Sequence, residues 1–223
     1  DAFIDKITNT ATTICDGGSG CVGGNFDMDQ NDSICADASG TIHIPCYDAN
    51  YDDISSTQAN WHHKIPGNLS VTNTDVVIHG NLWVTDNLTF DGGAGGCTVT
   101  LDPSLDPKSN RAIVVEGKVI IKSCTVTGRP GEPESHIMII SRSGNLSDSD
   151  PAILVQNSGG SDMLYALNGT VKLDGAASVK AVYGEKIKLV NNSVVTSLVE
   201  GPGKMLFPTD ESIPLPKIWK ETQ

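Results

Sequence analysis

The sequence is poor in aromatic residues and in basic residues, and it has no long hydrophobic run. Aromatic side chains make up 5% of the 223 residues, so small aliphatic side chains must fill the core. There are 15 basic and 27 acidic residues, and the net charge of −12 argues against binding to nucleic acid. A membrane span needs about 18 to 20 consecutive apolar residues, and no stretch of this sequence approaches that length.

Cysteine is infrequent, but its number is even. Six cysteines are typical of an oxidising compartment and predict an extracellular or cell-surface protein. The chain begins with Asp1 instead of Met, which indicates a processed or truncated N-terminus.

Glycine is abundant, with 23 residues, and it recurs at the turns of a repeated pattern. Four segments share a turn residue followed by alternating apolar residues: residues 80–84, 117–121, 169–173 and 185–189. Residues 168–183 can also be laid over residues 184–199 without a gap. Self-similarity of this kind, with short strands and no helical spacing, predicts a stacked all-β fold, a right-handed parallel β-helix (solenoid). Such a fold is a rigid rod with Val171 and Ile187 in its stacked core.

The pattern divides the chain into three parts. Residues 1–60 are expected to hold a short helix over residues 2–14, followed by a Cys- and Asp-rich loop region. Residues 61–200 are expected to form the β-helix, with residues 102–111 and 128–135 as loops on one face. Residues 201–223 contain four prolines and predict an extended tail that cannot continue a strand ladder.

One stretch resembles a known family. Residues 164–192 read LYALNGTVKLDGAASVKAVYGEKIKLVNN, and they are similar to the β-helix segment of bacterial pilus-associated (PilX-like), pilin-like surface proteins. Residues 77–90 and 218–221 also suit that family, and the resemblance covers roughly residues 75–221. It implies a structural, surface-exposed protein with a C-terminal parallel β-helix, and it brings no catalytic residues.

An acidic segment in the N-terminal region suggests a calcium loop. Oxygen-bearing side chains alternate there as in EF-hand or thrombospondin-type loops, at Asp27, Asp29, Asn31 and Ser33, with Asp37 following. Calcium needs six to eight oxygen ligands, and alternating side chains in a tight loop supply several. The turn glycine is replaced by Asp32 and the bidentate glutamate by Ala38, so a solvated acidic loop is the alternative.

The cysteines form two groups. Cys15, Cys21, Cys35 and Cys46 are expected to make two disulfides in one of three pairings, because this polar region cannot be held together by burial. Cys97 and Cys124 begin identical Cys-Thr-Val-Thr repeats 27 residues apart, which suggests a bridge between neighbouring coils; two stacked free thiols are the alternative.

The candidates for catalysis and metal binding are weak. The five histidines include one adjacent pair, His62 and His63, whose side chains would point to opposite faces of a strand; packing and surface hydrogen bonds are expected instead of a metal site. The charged candidates lie in loops without a specific spacing and read as solvated charges: Asp148, Asp150, Asp162, Arg129 and Arg142. We therefore expect no enzyme activity.

These features predict a non-enzymatic extracellular or cell-surface protein, a pilin-like filament subunit or adhesin. Its expected partners are copies of itself or other surface proteins. The alternative is a β-helix that binds or cleaves polysaccharide. A cluster of acidic and basic residues in a groove with exposed aromatics would favour this alternative. Assembly contacts are expected from Phe3, Ile4 and Ile7, and also from Trp219, unless both terminal segments fold back on their own chain.

Overall fold

The structure, a computed structural model, describes residues 2–13, 21–22, 25–29, 41–44 and 62–196. These residues form one helix and twenty strands. The first half comprises α1 (Ala2–Thr10), β1 (Thr12–Thr13), β2 (Cys21–Val22), β3 (Asn25–Asp29), β4 (Ile42–Ile44), β5 (His62–Ile65), β6 (Leu69–Thr72), β7 (Val76–Ile78), β8 (Asn81–Val84), β9 (Leu88–Asp91) and β10 (Cys97–Leu101). The second half comprises β11 (Asn110–Val115), β12 (Val119–Lys122), β13 (Cys124–Val126), β14 (His136–Ser141), β15 (Ile153–Gln156), β16 (Gly160–Ala166), β17 (Thr170–Leu173), β18 (Ser178–Tyr183), β19 (Lys186–Leu189) and β20 (Val194–Val195).

The strands are arranged in three parallel ladders, which the chain visits in turn. Ladder A contains β1, β5, β8, β11, β14, β16 and β18; ladder B contains β3, β6, β9, β12, β15, β17 and β19; ladder C contains β4, β7, β10, β13, β16, β18 and β20. The long strand β16 pairs with β13 through residues 160–161 and with β14 through residues 163–166, so it joins ladders A and C into one sheet. Among the described strands, the only antiparallel pair is β2 with β3. The predicted all-β parallel architecture is therefore confirmed.

The core lies between the ladders, and alternation along each strand fills it. In ladder B the buried positions of successive strands fall in register, and they are Leu69, Val71, Leu88, Phe90, Val119, Ile121, Ile153, Val155, Val171 and Leu173. Because successive side chains of a strand point to opposite sides, every second residue stacks on its counterpart in the next strand. Val171 lies in this core as expected, whereas Ile187 is about half exposed in the last strand of ladder B.

The outer side of ladder A carries a second apolar cluster. Helix α1 contacts β5, β8 and β11, and its Ile4 and Ile7 are buried among Ala112, Val114, Met138 and Ile140. Burial on both sides explains why β11 and β14 are continuous apolar runs. The helix is shorter than the predicted residues 2–14, because Thr12 and Thr13 pair with β5 as strand β1. Threonine is β-branched and favours a strand over a helix.

The repeat is confirmed in part. The registers Thr170–Lys186 and Ser178–Val194 reproduce the overlay of residues 168–183 on 184–199. Three of the four segments with the common template are strands of ladder B, but residues 80–84 lie in ladder A. The template describes any strand that follows a turn, so it does not distinguish one ladder from another.

Candidate functional site

The corner where ladder C passes into ladder A collects buried polar residues. His79 follows β7 and Asp102 follows β10, and the register of Ile78 with Leu101 places them side by side. The Nδ1 atom of His79 lies 2.5 Å from the Oδ2 atom of Asp102. The Nε2 atom of His79 is hydrogen-bonded to Nδ1 of His43 at 2.9 Å. The three side chains form an Asp–His–His chain that leads from the buried corner to the half-buried His43.

The carboxylate of Asp102 is held in its charged form. Burial by itself raises the pKa of a carboxyl group, but hydrogen bonds from His79 and from the backbone N–H of Ser104 outweigh it and lower the pKa of Asp102 strongly. His63 is buried near this corner, and burial, with smaller contributions from His62 and His79, lowers its pKa to about 4. His63 is therefore neutral at physiological pH.

A second buried carboxylate, Asp162, lies farther along the same corner and is 1% exposed. Its Oδ2 atom accepts a hydrogen bond from the backbone N–H of Gly128 at 2.7 Å, and its Oδ1 atom lies 2.6 Å from Nζ of Lys180. The Nδ1 atom of His136 lies 3.6 Å from the same carboxylate. Burial would raise the pKa of Asp162, but these neighbours together lower it.

The two loops that leave this corner are fastened to each other. Arg129 donates a hydrogen bond to the carbonyl oxygen of Leu105, and the hydroxyl of Ser135 donates one to the carbonyl of Ser109 at 2.8 Å. Loops over residues 102–109 and 127–135 therefore lie on one face, as predicted from the interruptions of the pattern. Their interactions stabilise the loops.

Asp162 lies buried in β16, so its interpretation as a solvated loop charge was wrong. Of the remaining charged candidates, Asp150 and Arg142 are exposed and Asp148 is half-buried, and all three are paired. Asp148 lies 2.5 Å from Nζ of Lys186 and 2.8 Å from Nζ of Lys188, and hydrogen bonds from these two lysines lower its pKa to about 2. Asp150 is paired with Lys118 at 2.6 Å. These residues are not brought together with Asp162.

Arg142 belongs to a separate polar group on the outer side of ladder A. It is 2.9 Å from Oε1 of Glu116, which also accepts a hydrogen bond from the indole of Trp83 at 2.9 Å. The ammonium group of Lys64 lies 4.5 Å from the centre of the Trp83 ring. One face of the half-buried Trp83 ring is thus covered by a cation of the same chain.

The resolved pKa shifts of the described carboxyl groups all have one direction. A general acid at neutral pH needs a raised pKa, but every described carboxyl group with a resolved shift has a lowered one. Within the described ranges, no three side chains of His, Cys, Asp or Glu are grouped so that they could hold a metal ion.

The predicted calcium loop is only partly described. Asp27 and Asp29 belong to strand β3, in register with Ser70 and Thr72 of β6. Asn31, Ser33 and Asp37 lie outside the described residues. The calcium loop with Asp27, Asp29, Asn31, Ser33 and Asp37 as ligands therefore stays a prediction.

The disulfide between Cys97 and Cys124 is present, and the two residues are direct register partners in β10 and β13. Cys15, Cys35 and Cys46 lie outside the described residues, and Cys21 is described as part of β2 only through its backbone. The N-terminal disulfides remain predictions.

The structure places the assembly residues in part. Ile4 and Ile7 are buried on ladder A of their own chain, so the helix has folded back and these side chains are not exposed to a neighbour. The side chain of Phe3 and all of Trp219 lie outside the described residues. This is the alternative that the sequence left open, a helix folded back on its own chain, and an intermolecular contact through Ile4 and Ile7 stays a prediction.

Sequence reasoning missed the pairing of His79 with Asp102. A signal was present, because residues 76–79 and 99–102 both consist of a strand end followed by a polar residue, at the spacing of the register between β7 and β10. Adjacency along the chain instead selects His62 and His63.

Comparison with protein-family models, curated proteins and solved structures finds no match to this chain. In the described part of the chain, no helix has both the length and the apolar character needed to cross a membrane.

Proposed function

We propose that the ladders form a right-handed parallel β-helix and that the protein is a non-enzymatic extracellular or cell-surface structural subunit. Its role is that of a pilin-like filament subunit or adhesin. The observation that carries this proposal is the uninterrupted stacking of parallel strands through all three ladders, with one continuous aliphatic core. Such a stack is stiff, and it presents two ends at which further strands can pair.

The disulfide and the sequence resemblance support the location. A bridge between neighbouring strands is typical of proteins in oxidising compartments. The resemblance of residues 164–192 to pilus-associated surface proteins points to the same compartment. It rests on Gly and Asn turns between aliphatic pairs.

The alternative, cleavage or binding of polysaccharide, has less support. Glycoside hydrolysis needs two carboxyl groups flanking an open groove, one of them protonated. Asp102 and Asp162 are buried and held ionised by donors of their own chain. The stacked pair of Tyr165 and Tyr183, with ring centres 4.4 Å apart, is the described feature that speaks for sugar binding.

Electron microscopy of the native protein tests the proposal. Filaments or regular oligomers on the cell surface are the expected result, together with no release of sugar from an acidic polysaccharide. A monomeric protein that cleaves such a polysaccharide would contradict it.

A calcium site over residues 27–37 is proposed as an addition to this function. The oxygen-bearing side chains of Asp27, Asp29, Asn31, Ser33 and Asp37 would supply its ligands. Titration calorimetry with Ca²⁺ is expected to show a single site that Asp37→Asn weakens. Equal heats for the natural protein and for Asp37→Asn would favour the alternative, a solvated acidic loop.

A further inference from the structure

The last part of the stack leaves its core side chains half open. Ile187 and Leu189 of β19 are in register with Val171 and Leu173, which are fully buried. Ile187 and Leu189 are nevertheless 45% and 49% exposed. A core side chain in such a stack is covered by the strand before it and by the strand after it. In β19 the covering on the second side is missing among the described residues.

All three ladders contribute to this apolar end. Five of the six exposed large apolar side chains in the described residues belong to it, and we call these five the terminal surface: Tyr183, Ile187, Leu189, Val194 and Val195. Tyr183 comes from ladder A, where it stacks on Tyr165, and the valines come from ladder C. An apolar patch that gathers at one end of the molecule is typical of an interface.

The same end presents a strand edge. β19 pairs with β17 on one side, and no described strand pairs with its other edge. Lysines usually protect such an edge by their charge. Lys186 and Lys188 of β19 are both bound to Asp148, at 2.5 and 2.8 Å, so one of their two positive charges is compensated on the molecule itself.

The two ends of ladder B differ in strand pairing, and this difference indicates which surface binds the terminal surface. At the beginning of ladder B, β2 pairs antiparallel with Asn25 and Phe26 of β3, so part of the edge that a head-to-tail neighbour would need is already paired. The terminal surface itself is the complementary candidate, because two-fold symmetry brings identical edges together in antiparallel pairing. The prolines at positions 202, 208, 214 and 216 lack N–H donors, so the following sequence suits continued pairing along β19 poorly.

We propose that the terminal surface binds a second copy of this chain, end to end, with β19 antiparallel to the β19 of the other copy. The inference rests on the self-association part of the proposed function. Seven strands at about 4.8 Å make a stack only about 30 Å tall, and the dimer doubles it. Such a contact is closed, so a filament would need a second, different interface at the opposite end.

The test compares three full-length proteins by sedimentation velocity over a range of concentrations. The natural sequence is expected to form dimers. Ile187→Asp places two charges at the centre of the contact and should weaken the dimer by about tenfold or more. Leu146→Asp is the matched control, because Leu146 is 46% exposed but lies in a loop away from the terminal surface. An unchanged dimer in Ile187→Asp, or equal weakening in both variants, would overturn the inference.

A second variant keeps the inference testable if Ile187→Asp does not fold. Ile187→Cys should form a disulfide-linked dimer under mild oxidation, because the symmetry brings this position close to its equivalent. Leu146→Cys should not form one. The absence of a linked dimer in both variants would refute the contact.

A third comparison identifies the competing occupant, the chain's own residues 197–223. If the full chain is monomeric and removal of these residues produces the dimer, the segment covers the terminal surface and the inference is wrong. Filaments that persist in Ile187→Asp would also refute it while leaving the proposed function intact. A dimer lost in Ile187→Asp, in a protein that cleaves polysaccharide, would support the inference and refute the proposed function.

Discussion

At the scale of single residues, the buried polar groups decide how the protein responds to acid. Asp102 and Asp162 accept hydrogen bonds inside a corner where an unpaired charge would be costly. His63 stays neutral because burial disfavours its protonated form. These groups stabilise loops and strand ends, and their partners are contributed by neighbouring strands.

The pKa of His63 predicts a loss of stability in weak acid. Its value falls from 6.5 in the unfolded chain to about 4 in the folded protein, so the unfolded state binds the proton first. The contribution is fully present above about pH 6.5 and is lost as the pH falls towards 4, at a cost on the order of 3 kcal/mol. Urea unfolding at pH 7 and pH 4.5 measures it, and in His63→Gln the difference between the two pH values should become smaller.

The lowered pKa values of Asp102 and Asp162 predict a further loss of stability at lower pH. Their folded pKa values lie below that of a free aspartate, so their contribution is present above about pH 4 and is lost below it. In Asp162→Asn, the free energy of unfolding should depend less on pH in this range. The exposed Asp106→Asn serves as a control, and an identical acid profile for both variants would contradict the assignment.

Val171 and Ile187 occupy equivalent positions of the sequence repeat, but only Val171 is buried. Val171→Asp would place a charge in a fully buried position and is expected to unfold the protein, at a cost of several kcal/mol. Ile187→Asp is half exposed and should retain a folded β spectrum. Circular dichroism with thermal melting distinguishes them; equal melting temperatures would show that Val171 is not in the core.

At the scale of elements, the stack is fastened at two places besides its ladders. The disulfide joins β10 to β13, neighbours in ladder C. Helix α1 covers the outer side of ladder A through Ile4 and Ile7. The disulfide reinforces two strands that are already paired, whereas the helix contacts three strands of ladder A.

The disulfide should contribute measurably to stability. Its loop of 27 residues predicts about 3 to 4 kcal/mol, lost in Cys97→Ser with Cys124→Ser. Denaturant unfolding measures the change. Mass spectrometry of the non-reduced protein should also find this bridge and two more among Cys15, Cys21, Cys35 and Cys46; free thiols there would contradict the N-terminal pairing.

Helix α1 should stabilise the chain from outside the core. Ile7 is fully buried, so Ile7→Ala is expected to cost about 2 to 4 kcal/mol and to expose the apolar side of β11 and β14. The free energy of unfolding and the binding of an apolar dye measure these two effects. Asn9→Ala, on the exposed side of the same helix, should change neither quantity. If Ile7→Ala also leaves both unchanged, the helix does not pack on ladder A.

At the scale of the whole molecule, the stack is closed differently at its two ends. Ladder B begins with an antiparallel pair, whereas no described strand pairs with the outer edge of its last strand, whose core side chains are half exposed. The seven described strands of a ladder span about 30 Å. Extension of the stack therefore depends on what covers its last described strand.

The sequence by itself determined the class of fold. Alternating aliphatic residues between Gly and Asn turns specify strands, and the equal spacing of residues 170–173 and 186–189 specifies their stacking. The spacing of Cys97 and Cys124 likewise specified neighbouring strands. These features are local, or repeat at a fixed distance, so they can be read along the chain.

The tertiary structure decided what the periodicity leaves open. It placed residues 80–84 in ladder A instead of ladder B, it folded Ile4 and Ile7 onto their own chain, and it left Ile187 at an open end. It also brought His79 to Asp102, because the register of two strands aligns residues whose loops differ in length. A residue's pattern predicts which side of a strand it lies on, but only the packed stack decides whether a further strand covers it.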